Sequence, residues 1–262
     1  MTEAANAPRD GSSLSRVRAV TRAVSILRTF TSRRPYLALG EIAKLTGLDA
    51  GTTRRLLVTL RDEALVRQDP ATGLYCASVG LLALGHAVPQ SLSLTALVEQ
   101  RVKRLADETQ TTVYLSVPSG DMALCTAMKH GGMAIQVRWW AVGEERALNV
   151  GAGPRVLLAY QPAARQAQLM SSVLGLGPSE AQALQSELDS IRQAGSIVKH
   201  DEIAPGLSAA AVPVLDQSGE ILAAVSTGGL TPRYTGAQQV ELLALMSEAA
   251  RDMEESLQSY IL

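Results

Sequence analysis

Residues 37–75 contain four consecutive local patterns whose order leaves few folds open. Leu39, Ile42, Ala43 and Leu45 share one side of a short helix that stops at Thr46-Gly47, where glycine suits the left-handed residue that closes a helix. Leu48 reads as the buried staple of the turn. Asp49 reads as the N-cap of the next helix, since a carboxylate accepts hydrogen bonds from the unpaired N–H groups of a first turn. That second helix, about 50–64, turns Leu56, Leu57 and Leu60 toward a core and carries Thr52, Thr53, Arg54 and Arg55 near its start. Residues 65–76 then read as strand, tight connection and strand, with Pro70 and Gly73 supplying the turn geometry. Helix, glycine turn, helix and hairpin in this order describe a winged helix-turn-helix, so a DNA-contacting unit is expected.

The chemistry at the start of the second helix fits that expectation. Hydroxyls and free N–H groups hold phosphate oxygens, and arginine either does the same or donates two hydrogen bonds to a guanine edge. Arg54 and Arg55 project about 100° apart on a helix, so they need not share one task. Arg67, in the wing, would approach phosphate or the minor groove. The expected DNA-contacting set is Thr52, Thr53, Arg54, Arg55 and Arg67.

Charge divides along the chain in the same sense. The formal net charge of -1 combines residues 1–85, with 12 Lys and Arg against 7 Asp and Glu, and residues 86–262, with 12 against 18. The first part can meet a polyanion, which the second repels. Cys76 and Cys125 lie far apart and form no CxxC, so free thiols in a reducing compartment are expected. Neither an apolar signal core nor an 18-residue apolar run is present, which leads to the expectation of a soluble cytoplasmic protein without a membrane partner.

Upstream, residues 1–13 are rich in Ala, Pro, Gly and Ser and read as a frayed arm. Across 14–31, Val17, Val20, Val24, Leu27 and Phe30 recur at helical intervals; the stripe can pack on the DNA-reading unit or on a second subunit. Downstream, residues 80–85 read as a helical linker. The expected divisions are 14–78 for the winged helix, 79–91 for the linker and 92–258 for a second domain.

In that second domain a helix is expected over 94–109, strands over 112–117 and 122–126, and an extended segment over 135–142 that would place Trp139 and Trp140 on opposite faces. Gly151-Ala152-Gly153-Pro154 opens a helix whose free N–H groups can bind a carboxylate; it does not match a nucleotide phosphate loop. A helix over 179–192, a hairpin over 209–226 and a closing helix over 236–260 complete an α+β pattern with an antiparallel sheet and flanking helices.

The residues now resemble the IclR family of bacterial transcriptional regulators over about 22–251. The resemblance is densest at Leu39-Gly40-Glu41-Ile42-Ala43-Lys44-Leu45-Thr46-Gly47-Leu48 and Thr52-Thr53-Arg54-Arg55-Leu56-Leu57. Asp69, Thr72, Gly73, Leu74 and Tyr75 resemble its wing; Leu157-Leu158-Ala159, Asp201-Glu202, Gly206 and Ala211-Val212-Pro213-Val214 resemble landmarks of its second domain. The resemblance implies a GAF-like effector-binding domain, a homodimer or dimer of dimers on pseudo-palindromic operator DNA, and control of catabolic genes by a small organic or aromatic acid. By position against the family, the effector-binding candidates are Cys125, Met128, Trp139, Asn149, Gly151, Ala152 and Ser226. Arg138 or Arg155 can pair with an acidic ligand. The sequence departs from the family at Ala64, where glycine is usual, and at Asn149, Pro154 and Ser196.

No cofactor, metal or catalytic residue is expected. The three histidines form no HExxH, no GxSxG is present, and no zinc spacing links the cysteines to them. Two rivals stay open: a constitutive DNA-binding oligomer without effector, and an enzyme using His200, Asp201 and Glu202. Repression is favoured over activation, because blocking a promoter needs fewer specific contacts than recruiting polymerase.

Overall fold

The computed structural model describes residues 17–31, 34–87, 94–132 and 139–261. The chain divides into two compact units, Met1–Ala87 and Val88–Leu262. In the first, α1 (Arg18–Leu27), α2 (Leu39–Thr46) and α3 (Ala50–Asp62) enclose Ile26, Ile42, Leu57 and Leu60. The turn between α2 and α3 forms as its residues require. Gly47 adopts φ 66° and donates its N–H to the Ala43 carbonyl, and the Asp49 carboxylate accepts from the Thr52 N–H at 2.8 Å. That bond holds the Asp49 carboxyl below its ordinary range.

The wing consists of β1 (Val66–Gln68) paired antiparallel with β2 (Tyr75–Ala77). Leu37 exchanges both backbone hydrogen bonds with Tyr75, at 3.0 and 2.8 Å. The lead-in to α2 is thereby tied to the wing, a pairing that periodicity does not reveal. α4 (Gly80–His86) follows. Its first residue approaches the backbone so closely that a Cβ on Gly80 would lie 2.2 Å from the Ala64 carbonyl oxygen.

The expected stripe of α1 divides. Ile26 is fully buried, with Leu27 and Phe30 partly buried beside it, whereas Val17, Val20 and Val24 are exposed. The small three-helix core reaches only one arc of α1, and the valines lie on the other. Leu45 is likewise 47% exposed instead of lying on the inner side of α2. Residues 14–16 of the expected helix lie outside the described residues.

The second unit is a three-layer structure. Its antiparallel sheet has the order β5-β4-β3-β8-β7-β6, made from β3 (Thr112–Ser119), β4 (Met122–His130), β5 (Glu145–Ala147), β6 (Ile197–His200), β7 (Leu207–Leu215) and β8 (Ile221–Leu230). Strand alternation sends Val113, Leu115, Ala210, Val212 and Val225 to one face, under α5 (Leu94–Thr109) and α9 (Gly236–Ile261). Tyr114, Cys125, Ala209, Ala211 and Ala224 share a core on the other, with α6 (Ala152–Ala159) and α8 (Pro178–Ala194). Alanines in this layer let α6 sit low on the sheet. Between α6 and α8 lie α7 (Ala163–Gln168) and a π-helical turn over Leu169–Val173, neither of which was anticipated.

Residues 139–142 are not a strand, and residues 133–138 of that expected segment lie outside the described residues. Trp139 and Trp140 do not point to opposite faces of a sheet; both belong to the core cluster beneath α6, their ring centroids 6.1 Å apart. The backbone turns here instead of pairing: the Trp140 Nε1–H donates to the Glu144 carbonyl at 2.9 Å, and the Ala141 N–H to the Glu144 carboxylate at 3.2 Å.

Candidate functional site

Two surfaces carry the residues singled out by sequence, one in each unit. On α3, Arg54 and Arg55 are exposed side by side, and Arg55 Nη2 lies 3.4 Å from the Thr52 hydroxyl. Arg67 is exposed on β1. Thr53 does not join them. It is fully buried, and its hydroxyl donates to the Asp49 carbonyl at 2.9 Å, because its position faces inward one turn before Leu57. Thr53 is a packing residue of α3.

The second surface lies where the start of α6 meets the sheet. Gly151 adopts φ 87° and precedes α6. The Trp139 indole lies against two glycines: a Cβ on Gly151 would stand 2.6 Å from Cη2, and one on Gly228 would stand 2.9 Å from Nε1. Tyr114 meets the indole edge-on at a centroid distance of 5.8 Å. The Arg146 guanidinium lies over it at 4.8 Å from the ring centroid and donates to the Trp139 carbonyl. Trp139, Gly151, Lys199, Glu202, Ser208 and Ala209, with Ile203 and Leu207, wall a cavity of ≈ 20 Å³, room for about one water molecule.

Of the expected effector residues, Trp139 and Gly151 thus line the cavity. Ala152 is buried as the first residue of α6. Ser226 is 1% exposed with its Oγ lacking a hydrogen-bond partner, and it lies 3.0 Å from where a Cβ on Gly153 would stand. The Asn149 Oδ1 is likewise buried and unpartnered. Cys125 and Met128 belong to the adjoining apolar cluster. Burial pushes the Cys125 thiol up to about 12, which makes it a small apolar wall instead of a nucleophile.

Arg155, expected as a partner for an acidic ligand, already has partners within the chain: its Nη1 donates to both carboxylate oxygens of Glu202 at 2.7 Å, and its Nε lies 2.9 Å from Glu187. Lys199 pairs with Glu187 at 2.6 Å. Glu202 also accepts from the Gly151 N–H at 3.2 Å. The N–H at the entrance to α6 therefore already holds a carboxylate, one supplied by the chain. Arg138 lies outside the described residues.

The group His200, Asp201 and Glu202 does not converge on one point. His200 Nδ1 meets the Ser208 hydroxyl at 2.9 Å, Asp201 accepts from the Gly206 N–H at 2.6 Å, and Glu202 turns to α6. No cluster of His, Cys, Asp and Glu able to hold a metal ion occurs among the described residues. No helix there is long and apolar enough to cross a membrane. Sequence reasoning missed Lys199, Ser208 and Ala209 as walls of the cavity and Gly228 as a neighbour of Trp139. Gly228-Gly229, just past the hairpin signal that ends at 226, was the available clue, since glycine in a strand marks close approach.

Comparison with known proteins bears on both surfaces. A family model described as the IclR helix-turn-helix domain matches residues 19–70, and one described as the bacterial transcriptional regulator IclR C-terminal domain matches residues 86–255. The chain is 25% identical to the HTH-type transcriptional regulator XynR of Escherichia coli (strain K12), covering 92% of this chain and 97% of that one. An IclR transcriptional regulator from Alicyclobacillus acidocaldarius superposes with a TM-score of 0.81 at 23% identity, covering 93% of this chain and 100% of that one. An IclR homologue from Microbacterium hydrocarbonoxydans, crystallised in complex with 4-hydroxybenzoate, superposes with a TM-score of 0.77 at 19% identity over 92% of this chain and 99% of that one. The chain belongs to the IclR family of ligand-responsive, DNA-binding transcriptional regulators, a non-enzymatic class.

Proposed function

We propose that this regulator represses catabolic genes and responds to a small organic acid, an aromatic one among them. In this reading two copies present α3 to the half-sites of a pseudo-palindromic operator, with Thr52, Arg54, Arg55 and Arg67 as the DNA contacts. The observation that carries it is the pair of exposed arginines on a helix whose start is fixed by Gly47 and Asp49. The pocket reading draws support from the indole of Trp139 beside the start of α6, and from the 4-hydroxybenzoate complex of the Microbacterium homologue. Ligand binding shifts the population of DNA-competent arrangements only to the extent that it binds one arrangement more tightly.

The ≈ 20 Å³ cavity favours a second reading, a constitutive DNA-binding oligomer whose second unit takes no ligand. One titration separates them. DNA selected by the full chain from genomic fragments is titrated with and without 4-hydroxybenzoate and aliphatic acids. An acid that weakens DNA binding supports ligand-responsive repression, whereas affinity unmoved by every acid favours the constitutive reading.

A further inference from the structure

We propose that Glu202 is an internal competitor for the carboxylate of an acidic ligand, and that such a ligand enters by taking the place of Glu202 at the start of α6. This rests on the reading of that pocket as an effector site. Arg155, Lys199, Glu187 and Glu202 form a charge-neutral cluster, two cations against two carboxylates, with the Arg155 side chain only 13% exposed. A ligand carboxylate added beside Glu202 would leave one negative charge unmatched in a half-buried site, which is costly. A ligand carboxylate that replaces Glu202 keeps the count at zero. It inherits two donors already aimed at a carboxylate, the Gly151 N–H and Arg155 Nη1.

A second observation points to a ligand at the same helix start. The Ser226 hydroxyl is buried to 1% exposure without a hydrogen-bond partner and faces Gly153, the second residue of α6. A buried hydroxyl left unpaired is uncommon and calls for a partner. Glu202 itself sits in the connection between β6 and β7, where Asp201 holds φ 55°. Exchange of carboxylates would therefore free the Glu202 side chain, while the Asp201 bonds to Gly206 and Leu207 keep the connection in place. It also fixes the class of ligand: an acid gains from the exchange, whereas its amide analogue has no charge with which to displace Glu202.

The test uses the full chain labelled with ¹³C′-valine and ¹⁵N-glycine. Only the three Val-Gly pairs, ending at Gly80, Gly143 and Gly151, then give carbonyl-filtered amide signals. Acetate and acetamide are the probes. In Glu202→Ala the Gly151 signal should respond saturably to acetate with an apparent Kd at least tenfold lower than in the parent protein, with Glu202→Gln between them. Acetamide should change less than threefold, and Gly80 and Gly143 should stay still. Equal acetate response in parent and variants, no response at Gly151 in either variant, or an equal gain for acetamide overturns the proposal. If Glu202→Ala does not fold, Glu202→Gln decides, because it keeps the side-chain shape and loses only the charge. Operator titration is read separately, so acetate exchange at Gly151 with indifferent DNA binding would sink the effector reading and leave the exchange standing.

Discussion

Ala64 carries the clearest backbone strain at the level of single residues. It holds φ 57° just before the wing, a conformation that costs an L-residue with a Cβ roughly 1–2 kcal/mol. Glycine has no such penalty, but its unfolded chain is freer, which offsets about 0.4–1 kcal/mol. Ala64→Gly should therefore stabilise the first unit by about 0.5–1 kcal/mol, read as slower hydrogen exchange at the amides of Ile26 and Leu57. Faster exchange would mean that the turn is not strained. Cys125 gives a pH prediction. Its thiol moves from 9.0 to about 12 because burial disfavours the thiolate. The neutral form's contribution to stability is thus complete below pH 9.0 and lost as pH rises toward 12. At pH 8 the folded protein should leave Cys125 unalkylated by iodoacetamide, as seen in the mass of its peptide, while denatured chain reacts. Rapid labelling of folded protein would contradict its burial.

Among elements, α3 separates packing from recognition. Arg54 and Arg55 are exposed, whereas Thr53 between their turn and the core is buried and bonded to Asp49. Arg55→Ala should weaken operator binding by roughly 5- to 150-fold if it reads a base, with folding unchanged. If Arg54 holds phosphate, Arg54→Ala should lower affinity evenly across sequences and reduce the salt slope by about 1. Thr53→Val should lower thermal stability while sparing the operator affinity of the folded fraction. A selective loss of DNA binding in Thr53→Val, or near-parental affinity in Arg55→Ala, would reverse these assignments. The division was half legible beforehand: Asp49 and Gly47 set where α3 starts, but four polar residues in a row do not say which one turns inward. The segment around Trp139 failed for the opposite reason. Adjacent tryptophans with apolar neighbours read as a strand, yet the Trp140 indole N–H and the Ala141 N–H both bond to Glu144, and the backbone turns.

For the molecule as a whole, the opposite charges of its two parts should make DNA binding strongly salt-dependent. If a dimer neutralises about six phosphates, affinity should fall on the order of 10³-fold between 50 and 200 mM salt; a flat salt response would remove the arginine-rich first unit as the contact surface. The first unit was readable because its instructions are local. Gly47 closes α2, Asp49 opens α3 three residues before its bonded amide, and Gly73 turns the wing, all within the reach of a few peptide units. The second unit's longer helices and most strands were readable for the same reason, since alternation and helical repeat are properties of neighbouring residues, whereas α7 and the π-helical turn after it were not. The pocket was not. Glu202 meets Gly151 from 51 residues away and Arg155 from 47, and Trp139 lies on Gly228 from the opposite half of the sheet domain. Those meetings follow from the strand order β5-β4-β3-β8-β7-β6 and from how low α6 sits on its alanines. Sequence alone thus determined most of the elements and the helix-turn-helix, while tertiary structure decided which charges face one another at the start of α6, because side-chain neighbours across a sheet are set by global packing and not by local periodicity.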